Sequence, residues 1–100
     1  MSLSYTKNVE PLGQAGAARQ LAAGSATANT ALSAGVFRVS MRATGADIRF
    51  AIGSGSQTAT TSSHFIANGE RLDFAVPPGA NIAVIRAGTT NGTLEVTELV

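Results

Sequence analysis

One hundred residues with 13% charged side chains, a formal net charge of +1 and no cysteine make one domain without disulfides, thiolate catalysis or a thiolate zinc site. Nucleic acid is not expected as a partner, because phosphate neutralisation calls for a basic surplus. No segment approaches the ~20 apolar residues of a membrane-spanning helix, and residues 1–10 lack the basic and apolar regions of a signal peptide.

The hydrophobic fraction is 44%, but much of it is alanine and there is no tryptophan. At ~25 cal/mol per Å² of apolar area buried, such a core is thin, and stabilisation by a neighbouring subunit is expected.

Taken in chain order, residues 1–17 (MSLSYTKNVEPLGQAGA) are polar and punctuated by Pro11, Gly13 and Gly16. They read as an extended arm, with residues 18–100 as a single β domain. ARQLAA (18–23) is closed too soon by Gly16 and Gly24 for a stable helix and is read as strand. SATANTALS (25–33) is read as a further strand.

In VFRVSMRAT (36–44), strict period two places Phe37, Val39, Met41 and Ala43 inward and Val36, Arg38, Ser40, Arg42 and Thr44 outward. Gly45-Ala46 then suits a two-residue turn with glycine at its first central position. In DIRFAIG, Ile48, Phe50 and Ile52 face inward, so residues 36–53 read as a hairpin. GSGSQTATTSS (53–63) is a loop with room for an edge strand near 57–61, and HFIA (64–67) is a short strand.

RLDFAV (71–76) turns Leu72, Phe74 and Val76 inward. Pro77-Pro78-Gly79 is a turn, with proline presetting φ and glycine accepting a positive one. NIAVIRA (81–87) is apolar on both faces, the mark of a central strand covered on both sides. Asn91-Gly92 is a strong short-hairpin signal, and TLEVTELV places Leu94 and Val96 inward and Glu95 and Thr97 outward. Seven or eight short strands at even spacing make the chain all-β: an antiparallel β-sandwich or jelly-roll-like fold, with a closed barrel as the other arrangement.

Chemistry-bearing residues are few. His64 is the single histidine, with neither cysteine nor a second histidine to complete a nucleophilic or metal site. Asp47 and Asp73 each stand two residues from an arginine (Arg49, Arg71) on one strand face, which favours solvated ion pairs over a carboxylate dyad. Gly53-Ser-Gly-Ser56 lacks the lysine and helix of a phosphate loop. Arg38, Arg42 and Arg49 are expected to share one outward face, as an interface rather than a nucleic-acid patch, since no aromatics interleave them. No enzyme, cofactor or metal is expected.

Three stretches, VFRVSMRATG-ADIRFAIG, FAVPPGANIAVIRAG and the GTLEVTEL tail, together resemble small virion structural proteins of tailed bacteriophages over residues 32–100. The resemblance implies a compact β module on the capsid surface, a decoration or cement subunit bridging major-capsid subunits, without catalytic residues. A head–tail or fibre protein and a carbohydrate or cell-surface binding module are the alternatives. The implied partners are the major capsid protein and the chain itself, as a dimer or trimer. The candidate interface comprises Tyr5 and Leu12 on the arm and Arg38, Arg42 and Arg49 on the sheet.

Overall fold

The computed structural model describes residues 13–100. Tyr5, Leu12 and most of the expected arm lie outside the described residues. Eight strands follow one another: β1 (Ala15–Ala23), β2 (Ala28–Ala31), β3 (Arg38–Thr44), β4 (Ile48–Ser54), β5 (His64–Ile66), β6 (Arg71–Ala75), β7 (Ala80–Arg86) and β8 (Gly92–Leu99). The fold is all-β, and β1 begins within the segment read from the sequence as arm.

Two four-stranded antiparallel sheets form, sheet 1 in the order β1-β8-β3-β6 and sheet 2 in the order β2-β7-β4-β5. The pairs β1–β8, β2–β7, β3–β6 and β4–β5 are nested. A long hairpin with β4–β5 at its tip has been rolled so that successive pairs alternate between sheets. This is the jelly-roll form of the β-sandwich.

The rolled topology corrects two turn assignments. β3 and β4 belong to different sheets, so Gly45-Ala46 is a corner and residues 36–53 are not a hairpin. The same holds for Asn91-Gly92 between β7 and β8; Pro77-Pro78-Gly79 between β6 and β7 is the turn expected, and it too carries the chain from one sheet to the other. A type I′ hairpin needs positive φ at both central residues, and neither Asn91 nor Gly92 has it.

Gly92 serves another purpose. A methyl group there would sit 3.1 Å from both Ala46 N and Thr44 O, so its bare Cα lets the β3–β4 corner close over the start of β8. Gly79 does adopt the positive φ expected of the Pro-Pro-Gly turn, at 68°.

Alternation decides most of the core. Val39, Met41 and Ala43 of β3, Ile48 and Phe50 of β4, and Leu94 and Val96 of β8 are buried between the sheets, as are Ile82 and Val84 of β7. The expected phase fails just before β3, where Val36 is buried and Phe37 is 58% exposed. Residues 34–37 precede the strand and turn at Gly35 (φ 79°), so period two does not extend back to them. Phe74, expected inward, is 38% exposed. Its strand lies at the edge of sheet 1, and the edge strand of sheet 2, β5, spans only three residues.

β7 is covered on both faces. Ala83 points away from the core yet is fully buried, because the segment between β4 and β5 lies across sheet 2. There Gln57 N donates to Asn29 Oδ1 (2.8 Å) and Ala59 N to Thr27 Oγ1 (2.8 Å), anchoring the segment at β2 on the far edge. The edge strand expected near 57–61 is instead this non-strand strap.

Gly92→Ala should destabilise the fold by about 1–2 kcal/mol through forced overpacking. Gly88→Ala, which meets nothing within 4 Å and has no positive φ, should be neutral or stabilising by up to about 1 kcal/mol. Urea unfolding of the two variants measures the contrast, and equal effects would refute the close-approach reading of Gly92.

Candidate interaction surface

Three features carry the polar and exposed apolar chemistry of the described residues: a buried ion pair at one end of the sandwich, an aromatic rim along one side, and the outer face of sheet 1. The ion pair follows from alternation in β8. Leu94 and Val96 face inward, and so does Glu98, whose side chain is only 1% exposed. A carboxylate cannot sit there without partners. Arg19 Nε of β1 donates to Glu98 Oε2 at 2.7 Å, and Ser33 N, just past β2, donates to the same oxygen at 2.9 Å. Arg19 Nη2 also reaches Ser33 Oγ at 3.0 Å.

Burial pushes the Glu98 carboxyl upward, but the Ser33 backbone bond, the Arg19 bond and the Arg19 charge outweigh it, so its pKa is lowered. Glu98 is therefore a carboxylate with its charge already engaged, a latch rather than a general acid. Glu98 is not among the residues expected to carry chemistry, although continuing the 94–96 alternation by one step points to position 98.

The aromatic rim lies where β5 and β6 end the two sheets. The buried Phe50 ring of β4 touches both sides, lying 5.5 Å from His64 of β5 and 5.7 Å from Phe74 of β6 between ring centroids. Phe65, 43% exposed, follows His64 on the opposite face of β5. Phe37 is tied to the end of β6 by the Val76 N to Phe37 O hydrogen bond of 2.7 Å. Phe65 and Phe74 thus stand on the two edge strands at one side of the sandwich, and Phe37 stands beside the end of β6. His64 is part of this rim, and its contact there is aromatic. Among the described residues no group of three or more His, Asp or Glu is placed to hold a metal.

The arginines do not share one face. Arg38 and Arg42 lie on β3 in sheet 1, whereas Arg49 lies on β4 in sheet 2. Arg49 stacks over Phe65, 4.8 Å from the ring centroid, and donates through Nη1 to Ser63 O at 3.1 Å. The ion pairs expected for Asp47–Arg49 and Asp73–Arg71 are not formed; among the described residues the salt bridge is Arg19–Glu98. Register explains this, since Arg49 faces Ile85 and Phe65 across the ladder, Arg71 faces Arg42, and Asp73 faces Ser40. Asp47 Oδ1 instead accepts from Asn68 N at 2.8 Å. It lines a hollow of about 300 Å³ with Asn68, Thr89 and Thr90, where three corners meet. No aromatic ring lines that hollow.

Comparison with known proteins gave no matching family model, no matching curated protein and no matching solved structure.

Arg19→Met strands the Glu98 carboxylate and should cost about 2–3 kcal/mol, less than the ~3–5 of a fully buried pair because Arg19 is 28% exposed. Glu98→Gln keeps the Ser33 bond and should cost about 1–2 kcal/mol. Because folding lowers the Glu98 pKa, the stability it contributes is complete above the unfolded value of about 4.3. It is lost as pH falls through the lower folded value. Denaturant melts from pH 7 to pH 2 should therefore show the wild-type advantage over Glu98→Gln shrinking below about pH 4. A pH-independent gap would show that the charge of Glu98 does not contribute.

Proposed function

We propose that this chain is a non-enzymatic virion structural protein, a decoration or cement subunit on a tailed-phage capsid that binds major-capsid subunits. The observation that carries the reading is the exposed aromatic rim of Phe37, Phe65 and Phe74 on an otherwise Ser-, Thr- and Ala-rich jelly roll. Isolated exposed apolar residues need no explanation, but a group of them beside polar surface marks a contact site, and aromatic side chains are enriched at such contacts. The jelly roll is a recurrent architecture of capsid proteins, and the resemblance over residues 32–100 supports the same assignment.

The hollow beneath Asp47 favours a second reading, a carbohydrate-binding module using loops at that end. Saturable binding on a glycan array, abolished by Asp47→Ala, would decide for it.

Under the virion reading, Phe37→Ser combined with Phe74→Ser should leave the fold intact, because both side chains are substantially exposed, and should lower retention on capsids at least tenfold. The measurement is the ratio of this protein to major capsid protein in gradient-purified particles, with circular dichroism as the folding control. Unchanged retention of the folded variant would rule out the rim as the capsid contact.

A further inference from the structure

The outer face of sheet 1 carries a row of side chains running straight across its four strands. In register, Gln20 of β1 faces Glu95 of β8, Glu95 faces Arg42 of β3, and Arg42 faces Arg71 of β6. The neighbouring row is Ala18, Thr97, Ser40 and Asp73. Arg42 and Arg71 are both exposed and directly opposed, an arrangement that costs stability. Among the described residues neither has a hydrogen bond or ion pair. With Glu95, Ser40 and Thr97 they line an open hollow of about 270 Å³. Sheet 2 offers no equivalent surface, because the strap between β4 and β5 lies across it.

The order Gln–Glu–Arg–Arg is complementary to its own reverse. We propose that this face binds a second copy of the chain about a two-fold axis running along the strands, between β3 and β8. That operation places Glu95 against Arg42 of the second copy, and Arg42 against its Glu95. It also places Gln20 against Arg71, an acceptor for a guanidinium that has none in the single chain. In the next row Thr97 meets Ser40, small hydroxyl side chains that let two sheets approach to ~10 Å, and Asp73 meets Ala18. A contact that repeats itself about a two-fold is the commonest form of homo-oligomer interface.

A free inorganic dianion fits less well. The two arginines share the face with Glu95 and Asp73, so the face as a whole is balanced rather than basic, and the carboxylates that match it are its own. Four strands ~4.8 Å apart present a small patch, below the half-share of the ~1,200 Å² that a stable interface buries in total. The free chain should therefore dimerise weakly, and raised salt should weaken it further. The proposal does not depend on what the aromatic rim binds.

Sedimentation velocity from 10 to 500 µM at low ionic strength tests it. Wild type should shift from monomer toward dimer, and 0.5 M NaCl should reverse the shift. R42E and E95R, each folded by circular dichroism, should stay monomeric to at least tenfold higher concentration. Mixing R42E with E95R should restore association, because each then supplies the charge the other lacks, and the double variant R42E/E95R should self-associate again. Wild type that remains monomeric at 500 µM, R42E that dimerises as wild type does, or an R42E and E95R mixture that fails to associate would each overturn the two-fold. Dimerisation abolished by F37S/F74S but not by R42E would assign self-association to the rim instead.

Discussion

The carboxylate of Glu98 is the constraint around which the sandwich closes. An ionised group inside a dry layer must be met by donors or it destabilises the fold by several kcal/mol. Here the donors come from β1, which borders β8 in sheet 1, and from Ser33, where the chain leaves β2 in sheet 2. One side chain in the last strand thereby fixes the first strand and the departure point of the second. The apolar layer supplies most of the driving force, but it has no direction, and small side chains such as Ala23 and Ala43 would tolerate sliding. The ion pair gives the end of the roll a single geometry.

The two sheets share one core and present different exteriors. Sheet 2 is dressed by its own strap, which buries the outward Ala83 and uses the side chains of Thr27 and Asn29 as anchors. Sheet 1 carries opposed arginines beside a glutamate on its outer face. At the β5–β6 side the sandwich ends unevenly, because three residues of β5 stand opposite five of β6, and aromatic rings are left in the gap. A structural protein must present surfaces that others can grip, and the asymmetry between the sheets supplies two of different character, one aromatic and one charged.

Much of this was legible in the residues. Alternation located the strands around 38–44, 48–54 and 92–99, and the apolar run at 81–87 marked a strand covered on both faces. Turn chemistry misled at Gly45-Ala46 and Asn91-Gly92, because a local dipeptide signal cannot report which sheet the next strand joins; a corner and a hairpin use similar residues. Period two puts Phe37 inward only if it is extended across residues that are not strand. The strap left no periodic trace, since its anchoring runs through the side chains of Thr27 and Asn29, 32 and 28 positions away. Arg42 stands out in the sequence as an outward arginine, but its opposition to Arg71 depends on the β3–β6 register, which only the fold reveals. Glu98 was within reach of the pattern and was masked by its polarity.

The nested pairing also governs how the molecule bears load. Gln14 and Val100 exchange two backbone hydrogen bonds of 2.8 Å, so the two ends of the described chain lie side by side at one end of sheet 1. A pull that separates those ends loads the β1–β8 ladder one rung at a time, as a zipper opens, rather than shearing all its bonds together. A pull on both ends in the same direction leaves that ladder unloaded and is resisted by the whole sandwich. Anything tethered at Gln14 or at Val100 would therefore hang from the same corner of the molecule.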